Sequence, residues 1–260
     1  MMIRSLHAFV VTLALAAVML GAQTKHWGYE DSAESVGPAK WGTLPGDEAC
    51  GAGKQQAPIN LATASAKPQD LPNLMFAYKP SHLSMTNNGH TIQMTYDAGS
   101  TLGRAAAATS TLAQFHFHDP SEHTVDGVAY PMEMHFVHVD AAGKPAAVVG
   151  VFIKAGKENV ALAKAFQLLP AHSGAKNEPA GAMVDASALL PADRTFFTYA
   201  GSLTTPPCTE GITWYVMKTP IEMSAGQIGA FTKLEHLAHT NRPVQSLGGR
   251  TVLVDSTPGR

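Results

Sequence analysis

The sequence predicts a mainly β domain with a few short helices around a central sheet, and three features carry that prediction. From Leu74 onward the chain runs in short segments of alternating apolar and polar residues, the period of a half-buried strand. Asn87-Asn88-Gly89-His90 separates two such runs, Ser84-Met85-Thr86 and Thr91-Ile92-Gln93-Met94-Thr95-Tyr96, and an Asn-Gly step there is a strong hairpin signal. Helical spacing is confined to Glu158–Leu169, which ends before Pro170, and to Ser224–His239. The latter opens with Ser-x-x-Gln, the pattern of a capping box, and sets Ile228, Phe231, Leu234 and Leu237 near one face. Further strands are expected around 112–118, 131–139, 146–153 and 212–217, and residues 171–193, rich in Gly, Ala and Pro, read as a long surface excursion.

At the N-terminus, Arg4 is followed by an apolar run, Ala8 to Leu20, interrupted only by Thr12, and then by Gly21 and Ala22. That is the pattern of a secretory signal peptide over residues 1–22, cut after Ala22, and leaves a domain of residues 23–260. Thirteen residues are too few for a membrane span, which needs about 20. No later segment is long and apolar enough to cross a bilayer, so a soluble periplasmic product without stable membrane insertion is expected. His26-Trp27-Gly28-Tyr29 then supplies aromatics that would pin an N-terminal arm to the domain body. The stretch to Pro72 lacks periodicity but holds apolar anchors at Ala57-Pro58-Ile59-Asn60-Leu61.

An apolar fraction of 45% over 260 residues is ample for a core, and 15% charged residues is low for a disordered or coiled-coil chain. A net charge of -2 excludes bulk phosphate neutralisation, hence a nucleic-acid partner. The two cysteines, Cys50 and Cys208, allow one pairing, and in an exported protein an even count suggests a disulfide. Closing so long a loop contributes on the order of 5 kcal/mol at most by chain entropy.

The chemistry concentrates in Gln114-Phe115-His116-Phe117-His118-Asp119-Pro120-Ser121-Glu122-His123 and the answering Glu133-Met134-His135-Phe136-Val137-His138. Alternation puts His116 and His118 on one strand face, with Phe115 and Phe117 behind. In the second segment Glu133, His135 and Val137 share a face, so pairing of the two strands closes a set of three histidines. Three neutral imidazoles with an open position fit a catalytic zinc site; a structural one is closed by four protein ligands. Gln114 and Glu133 each stand two residues before a presumed ligand and are placed to accept the outer ring N–H, which fixes the tautomer.

These motifs resemble those of the α-class carbonic anhydrases of the exported bacterial type. The matching segments are His26–Tyr29, Gln56–Asn60, Asn87–Thr91, Gln114–His123, Glu133–His138, Gly201–Cys208 and Asn241-Arg242-Pro243-Val244-Gln245, almost the whole mature chain in the family's order. The resemblance implies a largely antiparallel, twisted ten-stranded sheet with zinc in a cleft at its middle. It implies reversible hydration of carbon dioxide to bicarbonate and a proton by attack of zinc-bound hydroxide. His116, His118 and His135 are then the zinc ligands, Thr204 orients the hydroxide while passing its own proton to Glu122, and Thr205 lines the bicarbonate position. His90 matches the proton shuttle, with Tyr29, Asn87 and Asn88 near its water chain. Val137, Val148, Leu203 and Trp214 match the apolar wall that holds carbon dioxide. His123 and His138 are assigned to structural hydrogen bonds.

Ala57 stands where the family usually has Ser, and Gly248 where Asn is common, both outside the ligand set. The cysteines match the paired cysteines of exported members. A non-catalytic zinc-binding module on the same fold is the alternative, disfavoured by the presence of all three histidines, Thr204 and Glu122. A periplasmic zinc buffer would leave Thr204 and His90 without a role. The oligomeric state is open, and a homodimer is compatible with the sequence.

Overall fold

The structure, a computed structural model, describes residues 25–104 and 109–257; the signal-peptide segment lies outside them. Ten strands lie in continuous order across one large sheet. In chain order they are β1 Lys67–Gln69, β2 Ser84–Asn87, β3 Ile92–Thr95, β4 Ser110–His118, β5 Met132–Val139, β6 Pro145–Ala155, β7 Lys176–Asn177, β8 Phe196–Ser202, β9 Glu210–Met217 and β10 Leu253–Asp255. Across the sheet the order is β7-β2-β3-β4-β5-β6-β9-β8-β10-β1. Among these ten strands only β6–β9 and β10–β1 pair in parallel. Leu74–Ala77 and Thr101–Arg104 extend the β4 side, and Ile221–Met223 pairs with the end of β6.

Strands β5 and β6 are buried on both faces over most of their length, and the sheet divides the interior into two cores. Phe115, Phe117, Met134, Phe136, Val149 and Val151 face a large core closed by Phe166, Phe231 and Leu237. The opposite face of the sheet carries Val137 of β5, Val148 of β6 and Trp214 of β9 into a smaller core with Ile59, Leu61 and Tyr199. Period-two alternation therefore sends phenylalanines to one side and histidines to the other. The expected hairpin is present as β2–β3, with Asn87 opposite Ile92.

Helices are shorter than their spacing predicts. Of Glu158–Leu169 only Ala163–Phe166 is helical. Asn159 is held outside the helix by reciprocal bonds: its N–H donates to Gln227 Oε1 at 2.8 Å, and Gln227 Nε2 donates to its carbonyl at 2.8 Å. The second helix spans Ala225–Thr232 and carries the full capping box of Ser224 and Gln227. It cannot reach His239, because His236 and His239 adopt φ of 63° and 60°. The 171–193 segment is a surface excursion in its first half only. Val184, Ala186, Leu189 and Leu190 are buried in the large core.

Cys50 and Cys208 form a disulfide. It ties the Ala49–Ala52 helical turn to the loop after β8, beside buried Trp41. No helix of the described residues is long and apolar enough to cross a membrane.

On the large-core face, buried His138 pairs through Nε2 with Tyr78 Oη at 2.7 Å, and burial lowers its pKa to about 4. The unfolded chain, near 6.5, binds this proton first, so stability is lost as pH falls from 6.5 to 4. The loss from this group amounts to about 3 kcal/mol. Stability measured by urea denaturation across that window is expected to slope less in His138→Gln. Parallel slopes for the two proteins would refute the assignment.

Candidate active site

Antiparallel pairing of β4 with β5 sets His116 directly opposite His135, and His118 opposite Glu133. The three ring centroids lie 4.6–5.5 Å apart, and one nitrogen from each ring falls within 4.8 Å of the others. Each outward nitrogen has an acceptor. His116 Nδ1 donates to Gln114 Oε1 at 2.8 Å, His118 Nδ1 to the Thr240 carbonyl at 2.6 Å, and His135 Nε2 to Glu133 Oε1 at 2.9 Å. A ring that donates outward and stays neutral presents a lone pair inward, so His116 Nε2, His118 Nε2 and His135 Nδ1 form the acceptor set a soft-to-borderline cation requires. His118 Nε2 is buried with no hydrogen-bond partner. Burial, then the other imidazoles, hold His116 well below the usual histidine pKa. Burial likewise lowers His118, against the pull of Glu122.

A cavity of roughly 160 Å³ opens in front of this triad, lined by Gln114, His116, His135 and Thr204 on its polar side. Val137, Val148, Leu203 and Trp214 form an apolar wall, with Thr205 and Pro145 at the edge. The wall follows from register: Val137 opposes Val148, and Val148 opposes Trp214.

A model of the eukaryotic-type carbonic anhydrase family matches residues 36–256. A carbonic anhydrase of Nostoc sp. is 44% identical over 89% of this chain and 87% of its own. One from Neisseria gonorrhoeae is 41% identical over 96% and 98%. The chain belongs to the α-class carbonic anhydrases. Its fold agrees: the α-carbonic anhydrase of Thermovibrio ammonificans, solved with the inhibitor sulfanilamide, superposes with a TM-score of 0.82 at 42% identity, over 88% of this chain and 99% of that one. This carbonic anhydrase thus carries the activity its triad suggests, with carbon dioxide and bicarbonate the substrates the family implies, and the buried histidines are typical of the family's zinc site.

Around the triad of this carbonic anhydrase, Glu133 is a buried hub. Oε1 accepts from His123 Nδ1 as well as His135, and Oε2 accepts from the backbone N–H groups of Glu122 and His123 at 3.0 and 2.8 Å. Burial alone would raise its pKa, but His123 and His135 pull it well below the carboxylate range. Gly150 on β6 sits opposite His135 because a Cβ there would lie 2.8 Å from Glu133 Oε1. Both ring nitrogens of His123 are hydrogen-bonded, Nδ1 to Glu133 Oε1 at 2.8 Å and Nε2 to Tyr199 Oη at 2.7 Å.

Glu122 Oε1 accepts from the Arg242 backbone N–H at 2.8 Å. Its Oε2 is buried without a partner among the described residues, 3.5 Å from His118 Nε2. Thr204 is buried in the loop after β8, which is closed by Leu203 N–H to Thr209, Cys208 N–H to Thr205 and the disulfide.

His90 is half-buried: it stacks on Trp27 with centroids 3.6 Å apart, and burial lowers its pKa to about 4 in this pose. Tyr29 joins the same aromatic cluster, its hydroxyl buried without a partner. Asn88 Oδ1 accepts from the N–H of His90 and Thr91, so that oxygen serves the turn. Asn87 bonds Gly89 N–H and the Pro170 carbonyl.

Sequence reasoning missed Thr240, which acts through its backbone carbonyl and leaves no side-chain signature. It also gave no role to Arg242, although the motif containing it was visible.

Proposed function

We propose that this carbonic anhydrase works as a zinc enzyme of the periplasm, with zinc held by His116 Nε2, His118 Nε2 and His135 Nδ1. The observation that carries the proposal is the outward hydrogen bond on every ring, which leaves three neutral lone pairs aimed at one point. Zinc, when bound, supplies the Lewis acidity that brings a water's pKa to about 7, an effect for which carbonic anhydrase is itself the reference case.

The chain's own groups do the rest. In the reacting complex Thr204 would accept a hydrogen bond from the attacking oxygen and turn its own proton to Glu122, whose buried Oε2 has no other partner among the described residues, and so keep a lone pair of that oxygen aimed at the substrate carbon. Carbon dioxide offers no charge to grip, and Val137, Val148, Leu203 and Trp214 hold it by apolar contact. Thr205 lines the place where bicarbonate forms. The released proton passes to His90 by way of water ordered near Tyr29 and Asn88. At a pKa of about 4 the stacked ring is a poor carrier at neutrality, so relay requires the imidazole to leave Trp27 and regain solvent. Export by a signal peptide over residues 1–22 supplies the oxidising compartment in which the Cys50–Cys208 bridge persists.

The deciding experiment is stopped-flow carbon dioxide hydration by the purified mature protein, beside a chelated sample. Fast hydration lost on chelation and restored by zinc is expected. A folded, zinc-loaded protein without turnover would favour the non-catalytic binding module. His90→Ala is expected to keep its zinc and to slow turnover in dilute buffer by about a hundredfold, the low end of one acid–base contribution, with rescue by imidazole. Turnover independent of buffer would place the relay elsewhere.

A further inference from the structure

The Thr240–Leu247 segment lies outside any helix or strand, so no ladder of the sheet fixes it. Yet it supports two groups at the heart of the site. The Thr240 carbonyl accepts from His118 Nδ1 at 2.6 Å, and the Arg242 N–H donates to Glu122 Oε1 at 2.8 Å. Thr240 is tied to Asp119 twice, its N–H donating to the Asp119 carbonyl at 2.7 Å and its Oγ1 accepting from the Asp119 N–H at 3.2 Å. Gln245 N–H donates to the Pro58 carbonyl at 2.8 Å. Between them the segment is held by the Arg242 side chain, only 1% exposed. Its Nη1 donates to Gln56 Oε1 and to the Ala57 carbonyl, and its Nη2 to the Cys50 carbonyl, all at 2.8 Å. The guanidinium also lies over Trp41, 5.7 Å from the ring centroid. Nε has no partner, and no carboxylate forms an ion pair with the guanidinium among the described residues. Burying a cation against neutral oxygens is costly, and a cost of that kind is tolerated where position matters. A lysine would carry the charge without the planar fork that reaches three acceptors on two parts of the chain.

We propose that the Arg242 guanidinium is a positioning device for the catalytic carboxylate: by gripping Cys50, Gln56 and Ala57 it fixes Thr240–Arg242, whose carbonyl and amide hold His118 and Glu122. The inference rests on the role proposed above for Glu122 with Thr204. Loosening the grip displaces Glu122 Oε1 first, and small misplacements of reacting groups carry large rate costs. No residue of this segment lines the cavity, so substrate binding is spared.

The test is Arg242→Lys, compared with wild type and Glu122→Gln for zinc content, thermal melting, kcat and KM for carbon dioxide, and pH titration of the visible spectrum after cobalt(II) substitution. Expected for Arg242→Lys are stoichiometric metal, a kcat per bound metal lower by about tenfold or more, KM within about twofold, and a displaced cobalt titration midpoint. Wild-type kcat per metal and an unmoved midpoint in Arg242→Lys, with Glu122→Gln impaired, would overturn this inference alone. If Glu122→Gln also keeps wild-type turnover, the role given to Glu122 fails instead. A loss confined to metal content or melting temperature would make Arg242 merely structural and overturn the proposal. Should Arg242→Lys not fold, Gln56→Ala removes one acceptor of Nη1 and is expected to lower kcat about threefold at constant KM, by the same positional effect. An unchanged kcat there would equally overturn it.

Discussion

Alanine at position 116 is expected to remove the metal and the hydration activity together. His116 contributes one of three inward nitrogens and stands directly across the β4–β5 pair from His135. Two imidazoles leave a borderline cation short of the ligand set that a catalytic zinc site requires. The loss of several kcal/mol of charge stabilisation in the transition state then corresponds to a turnover lower by about a thousandfold or more. The fold is expected to survive, because the neighbours Phe115 and Phe117 face the opposite core and keep their packing. Metal analysis by mass spectrometry, circular dichroism and stopped-flow hydration on one preparation separate these effects. A folded His116→Ala protein with stoichiometric zinc and ordinary turnover would refute the ligand assignment.

The triad was legible because strand parity is a strict rule. Residues two apart share a face, so His116 with His118, and Glu133 with His135 and Val137, could be placed before any coordinate was known. The hairpin at Asn87–His90 was legible for a related reason: Asn-Gly steps supply the backbone conformations that tight hairpins need, and Gly89 indeed has φ of 84°. Parity has no hold on the Thr240 carbonyl that orients His118, since backbone groups are the same in every residue. Helix lengths failed for a different reason. The apolar spacing of 224–239 continues past the point where His236 turns to positive φ, and that of 158–169 is interrupted by the bonds between Asn159 and Gln227. In the 158–169 segment a contact distant in sequence overrode the local pattern. The pose of His90 was equally hidden, because stacking on Trp27 joins residues 63 positions apart that share no element.

Glu133→Gln is expected to cost more than its small change in shape suggests. The carboxylate meets four donors, two at each oxygen, from His123 Nδ1, His135 Nε2 and the backbone N–H groups of Glu122 and His123. An amide has one oxygen, so either orientation turns its NH₂ against two N–H donors in a fully buried place. Leaving buried donors unpaired costs about 1–3 kcal/mol each, and loss of a buried charge partner about 3–5 kcal/mol, so a destabilisation of several kcal/mol is expected. His135 also loses the acceptor that fixes its tautomer, which lowers metal affinity by about 10- to 100-fold. Gln114→Ala is the contrast: Gln114 is half-buried and its one bond is to His116, so weaker zinc binding with little loss of stability is expected. Chelator competition gives the affinities and urea denaturation the stabilities. If Glu133→Gln matched wild type in both, the carboxylate would be a spectator, and the tautomer of His135 would have to be set by the metal alone.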